Sequence, residues 1–289
     1  MRSDFFDVPQ TDYTTSCGMV QLPVFYQRLA MRTINYFVEY DRVLPILKGT
    51  GLLPVRFFNG KVLTSLTFFN YQEVSLTAYD EVVLSVSVYP EALGRPSLPS
   101  LKLLLAKSEK RWKNMGVYVV EMVVTIPEAR AAGREIWGYP KFLTRIPNEL
   151  SGNHFKFGVL DPDTEEPIVE VEGEVGRGFS ARPFDMITFS DHSDSVLRTV
   201  VEADGKVRHC TCKRIEVKVA PTNHRMAENL RALGLDTAKP FSIMTSDYLQ
   251  TKLNPGKPVA DWESPALPYQ YEQEVEFYRR QRELLGKRS

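Results

Sequence analysis

The alternation of apolar and polar positions is the strongest pattern along this chain, and it is mainly a strand pattern. Glu81-Val-Val-Leu-Ser-Val-Ser-Val-Tyr89 is rich in β-branched residues and partly alternates Val with Ser. Gly116 to Ile126 is a long Val-rich run. Ile168-Val-Glu-Val-Glu-Gly-Glu-Val175 alternates apolar with acidic residues, as a half-buried antiparallel strand does, and Val207 to Val219 ends in the same rhythm. Asp161-Pro-Asp-Thr-Glu-Glu-Pro167 lies between two such runs and predicts a hairpin connection.

Helical spacing is rarer. Ser100 to Met115 places Leu101, Leu104, Leu105 and Trp112 on a helical face, with Gly116 as its stop. Thr125 to Gly133 reads as a helix with a capping threonine, a proline and an acid in its first turn, and a closing glycine. Thr222 to Gly234 puts Met226, Leu230 and Leu233 on one side. Tyr269 to Lys287 is a charged amphipathic segment whose basic end suits the helix dipole. Many strands, scattered helices and no βαβ alternation predict an α+β fold on an antiparallel sheet. Without a linker, repeat or low-complexity tract, residues 1–289 read as one domain.

Composition narrows the function. Thirty-six basic residues balance thirty-six acidic ones, which gives no support to a nucleic-acid or anionic-membrane surface. No apolar run reaches the roughly 20 residues of a membrane-spanning helix, and the N-terminus lacks a signal-peptide pattern. Three cysteines are not a disulfide framework, so a cytoplasmic protein is expected. His209-Cys-Thr-Cys212 has a metal-like look, but no second pair completes a tetrahedral site, and buried thiols on one strand face are the simpler reading. No metal is expected.

One segment carries candidate chemistry. Lys141 lies in Ile136-Trp-Gly-Tyr-Pro-Lys-Phe-Leu143, among almost wholly apolar and aromatic neighbours. Burial there penalises an ammonium ion and favours the free amine, which is the form an amine nucleophile needs. The bland alternative is a lysine whose stem covers apolar surface while its head reaches water.

Arg134-Glu135 followed by Tyr139-Pro140-Lys141 resembles the active-site stretch of the acetoacetate decarboxylase superfamily, where the lysine after the proline forms a Schiff base with a ketone. Tyr71-Gln-Glu73 resembles that family's Tyr-x-Glu. The resemblance is dense over about residues 116–145 and implies a single domain whose antiparallel sheet closes into a barrel or cone with flanking helices. It also implies a catalytic pair of Lys141 and Glu73, an arginine (Arg28 or Arg32) for the substrate carboxylate, and Trp137, Tyr139 and Phe142 around the substrate. The characterised decarboxylases carry a second lysine directly after the first, where this chain has Phe142. The function implied is a cofactor-independent lyase, a homo-oligomer that decarboxylates a β-keto acid. Aldol, dehydration or hydration chemistry on a keto acid, or non-covalent small-molecule binding, remain open beside it.

Overall fold

The computed structural model describes residues 4–57, 59–96, 114–192 and 195–259. The strands in chain order are β1 (Thr11–Thr15), β2 (Gly18–Leu22), β3 (Val24–Val38), β4 (Leu52–Pro54), β5 (Val62–Val74), β6 (Tyr79–Pro90), β7 (Gly116–Val124), β8 (Lys141–Leu143), β9 (Asn148–Ser151) and β10 (His154–Leu160). They continue with β11 (Pro167–Ala181), β12 (Met186–His192), β13 (Ser195–Gly205), β14 (Val207–Val219), β15 (Ser242–Leu253) and β16 (Lys257–Pro258). Three α-helices are described: α1 (Tyr40–Val43), α2 (Pro127–Trp137) and α3 (Arg225–Ala232).

Hydrogen bonding runs in the order β13-β12-β7-β6-β5-β3-β15, and β15 pairs back onto β13. This closes a seven-stranded barrel and removes the open edges a flat sheet would expose. The first residues of β15 pair instead with β14, which begins an extension through β11, β10 and β9. Stacking of Phe68 on Phe157, with ring centroids 5.1 Å apart, brings the extension onto the barrel's outer wall. Ile34, Tyr36, Leu66, Leu84, Phe155 and Val171 fill the space between them.

The strand runs read from the sequence coincide with β6, β7, β11 and β14. At 161–167 the Asp161 carboxylate accepts from the backbone N–H groups of Asp163 and Thr164, forming the expected hairpin turn. The pairing departs from a purely antiparallel sheet at two places, β7 with β12 and β7 with β8. The second is a β7–α2–β8 crossover, too short in its last strand to announce itself as a βαβ unit.

Two helix readings need correction. The Thr125 hydroxyl accepts from the Asp80 N–H rather than capping α2, whose N-cap is Ile126. Nor does α2 stop at Gly133: it runs to Trp137 and ends on Gly138, whose left-handed φ of 66° closes the helix. Helix α3 buries Met226, Ala227 and Leu230, and the His224 ring accepts from the Met226 N–H at its start. The helix expected over 100–115 lies outside the described residues except for its last two, and that over 269–287 lies wholly outside them. Among the described residues, no helix is long and apolar enough to cross a membrane.

Candidate functional site

Lys141 reaches the barrel interior because the chain before it is locked at each residue. After Gly138 turns the chain, the Tyr139 N–H donates to Gly133 O at 2.9 Å, and Pro140 leads into β8. Arg134 Nη1 donates to the Lys141 carbonyl at 3.3 Å, while Glu135 accepts from the Ser16 N–H at 2.9 Å and ties the β1–β2 hairpin to α2. Gly133 itself makes room. A Cβ there would lie 2.3 Å from Lys141 Cδ and 2.4 Å from Cε, so the lysine stem rests directly on the helix backbone. The Arg-Glu and Tyr-Pro-Lys pieces are thus parts of one clamp that aims a single amine.

The amine ends on a carboxylate. Lys141 Nζ donates to Glu81 Oε2 at 2.8 Å, and both residues are only 4 % exposed. Tyr71 donates its hydroxyl to the other oxygen, Glu81 Oε1, at 3.1 Å. Aromatic rings enclose the pair: Tyr71 lies 4.4 Å from Tyr26 and 4.6 Å from Tyr79 between centroids, and the Tyr26 and Tyr79 hydroxyls are 3.2 Å apart. Tyr139 meets the Thr188 hydroxyl at 2.7 Å. A buried ion pair survives desolvation only when its remaining atoms are satisfied, and Tyr71 does that for Glu81.

The tyrosines are held protonated. Burial, reinforced by the negative charge of Glu81, pushes Tyr71 and Tyr79 well above the ordinary 10, and Tyr26 is likewise raised. Burial pushes Tyr139 up to about 12. All four therefore keep a hydroxyl proton available for donation at any working pH. The stability consequence has a definite sign. The unfolded chain releases these protons near pH ~10 and the folded one holds them to higher pH, so their contribution is complete below ~10 and falls as pH rises further. Guanidinium titrations should show equal stability at pH 8 and 9, then a loss toward pH 11 and 12 of up to about 1.4 kcal/mol per pH unit per tyrosine. A flat profile through pH 12 would mean these phenols are solvated.

The other residues expected at the site divide. Trp137 and Tyr139 join the interior cluster, ring centroids 6.1 Å apart, with Trp137 Nε1 donating to Asn254 O at 2.9 Å. Phe142 does not: one residue along β8 from Lys141, it points to the opposite face and packs against His224, centroids 5.0 Å apart. Glu73 stands near the end of β5, 64 % exposed and 3.9 Å from Arg28, which is itself 49 % exposed. Arg32 shares the outward phase of Ile34 and Tyr36, and its guanidinium donates to Met31 O, Ser246 O and Asp247 Oδ1. The expected convergence of Glu73 and an arginine on Lys141 is therefore not what the barrel contains; the carboxylate on the amine is Glu81. Its signal was present in the sequence: Tyr79 and Glu81 share the phase of Val83 and Ser85, so the charge heads a run that goes inside.

The Cys210 and Cys212 thiols are free, and burial pushes Cys212 up to about 11. Among the described residues, no group of three or more His, Cys, Asp or Glu is placed to hold a metal ion.

Among curated proteins, no sequence matches the chain. Its fold is similar to that of acetoacetate decarboxylase from Legionella pneumophila subsp. pneumophila strain Philadelphia 1, at 15 % identity over 88 % of this chain and 92 % of that one, TM-score 0.57. It is also similar to MppR, an enzyme of enduracididine biosynthesis, at 12 % identity over 83 % and 90 %, TM-score 0.55. A third similar fold is an acetoacetate decarboxylase-like enzyme from Sphingomonas wittichii RW1, at 11 % identity over 83 % and 94 %, TM-score 0.56. Identities this low speak for the fold alone, whereas the sequence profile described as Acetoacetate decarboxylase (ADC) matches residues 8–222 and decides the wider question. The chain belongs to the acetoacetate decarboxylase family.

Proposed function

We propose that this protein is a Schiff-base lyase that acts on a keto acid through Lys141, with decarboxylation of a β-keto acid as its reaction. The observation that carries this reading is the buried Lys141–Glu81 contact of 2.8 Å inside the barrel, beside Tyr71, Tyr79 and Tyr139. Glu81 takes a proton from the ammonium, and the free amine attacks the substrate carbonyl to give a carbinolamine. Loss of water, with the Glu81 carboxyl protonating the departing hydroxyl, leaves an iminium. The bond to the carboxylate then breaks, carbon dioxide departs, and its electron pair moves to the iminium nitrogen as an enamine. Protonation at carbon and attack by water release the ketone and restore the amine. Phenols held protonated suit the donor role toward the oxygen that develops charge at the carbinolamine.

A second reading keeps the iminium and replaces decarboxylation by aldol or dehydration chemistry. MppR, one of the similar folds, is described in complex with the condensation product of pyruvate and imidazole 4-carboxaldehyde. The test is borohydride reduction during incubation with a panel of keto acids, followed by peptide mass mapping and carbon dioxide measurement. An adduct on the Lys141 peptide with stoichiometric carbon dioxide is expected. An adduct without carbon dioxide selects the second reading, and no adduct across the panel removes the Schiff base.

A further inference from the structure

The interior of the barrel changes character along its length. Cα partners across the strands place Met244, Thr33, Thr67, Val83, Met122 and Lys141 on one continuous inward rung. Two residues further on, the next inward rung reads Ser242, Asn35, Ser65 and Ser85. Hydroxyl and amide groups thus occupy inward positions on four neighbouring strands, where a barrel filled only for stability would carry Val, Ile or Leu. Three of them, Ser65, Asn35 and Ser242, form a connected arc. Ser65 Oγ donates to Asn35 Oδ1 at 2.8 Å, and Asn35 Nδ2 donates to Ser242 Oγ at 3.2 Å. One rung closer to the lysine, Thr67 Oγ1 donates to Thr33 Oγ1 at 3.2 Å.

Those bonds leave capacity unused. Asn35 spends one of its two amide hydrogens in them, and the hydroxyl hydrogens of Ser242 and Thr33 are not used by them. Exposure also rises in this direction. Lys141, Thr67 and Thr33 are buried, Asn35, Ser65 and Ser242 are half-buried, and beyond them Phe241, stacked on Phe37 at 4.3 Å, is 48 % exposed. In the opposite direction Tyr79, Tyr71 and Leu29 close the interior. The arc therefore lies between the amine and the more open end of the barrel. Its level is four residues along the strand from Glu81, a span of roughly 13 Å.

We propose that this arc is a recognition subsite for the far end of the substrate, and that the substrate's chain beyond its carbonyl carries neutral oxygen groups, hydroxyl or a second carbonyl, rather than plain alkyl. The proposal deepens the keto-acid reading of Lys141 and rests on it for the word substrate. A ligand oxygen at this level takes up the spare Asn35 and Ser242 hydrogens. An alkyl tail of equal length buries them without partners, and that asymmetry is what lets a hydrogen-bonding site discriminate strongly.

The test uses matched β-keto acids of equal chain length, one with an alkyl tail and one with hydroxyls on the carbons farthest from the keto group. A second pair has the same tails but a methylene in place of the keto carbonyl. Calorimetry on the intact protein reads affinity for both pairs, and borohydride trapping reads the iminium for the first. The hydroxylated member should bind at least about tenfold tighter in both pairs, and Asn35→Leu should reduce that ratio to within about twofold. Ser65→Ala, a smaller change, should lower the ratio in the same direction, with circular dichroism melting to confirm that either variant is folded. Equal or tighter binding of the alkyl members, or a preference that survives both substitutions, overturns the proposal. If the hydroxyl preference stands in the carbonyl-free pair while nothing is trapped on Lys141, the arc is upheld and the Schiff-base chemistry is what fails.

Discussion

Lys141→Met is expected to abolish both turnover and the borohydride-trapped adduct, and to lower the stability of the fold by roughly 3–5 kcal/mol. The two losses have different causes. The first follows from removing the amine; the second from leaving Glu81, 4 % exposed, as an uncompensated charge in the barrel. Chemical denaturation separates them, because Lys141→Met/Glu81→Leu should regain most of the stability and none of the activity. Lys141→Arg keeps a cation for Glu81 but gives no adduct, since a guanidinium does not shed its proton at workable pH. An adduct formed on another lysine of the Lys141→Met protein would falsify the assignment of the nucleophile.

Gly133→Ala is expected to lose activity with the amine still present. In an exposed helix, alanine in place of glycine favours the helix by roughly 1 kcal/mol. Here the new methyl would meet the Lys141 stem at 2.3 and 2.4 Å, far inside contact distance, while the Lys141 backbone is held by β7 and by Arg134. The stem must swing, and the amine leaves Glu81. Displacements of about 1 Å at a reacting group cost on the order of 10²-fold in rate, so kcat should fall by at least that much. The melting temperature should fall as well, because Glu81 is then left buried without its cation and the helix gain of about 1 kcal/mol offsets only part of that loss. Full activity in Gly133→Ala would show that Lys141 does not need the path the structure gives it.

Both substitutions act inside a segment whose importance was visible from its residues. Strand periodicity over 81–89, 116–126, 168–175 and 207–219 was enough to call for a sheet protein, because alternation records which side of a strand is buried. The aromatic setting of Lys141 and its Tyr-Pro-Lys context marked it out, and its burial follows from the same apolar neighbours. Which carboxylate meets the amine was a matter for the tertiary structure. Glu73 and Glu81 are eight residues apart on consecutive strands, and either is a reasonable partner from sequence alone. The bulge at Arg28–Leu29 and the end of β5 leave Glu73 at the rim, while the register Phe69↔Glu81 keeps Glu81 inside. Arg28 and Arg32 went astray for the same reason, since one residue of strand phase exchanges interior for exterior. Phe142 is the clearest case: its neighbour Lys141 faces the tyrosines, and strand alternation alone turns it away toward His224. Local pattern determined which segments are strands and which lysine stands out. Closure of the barrel, set by non-local pairing and bulges, decided which side chains share its interior.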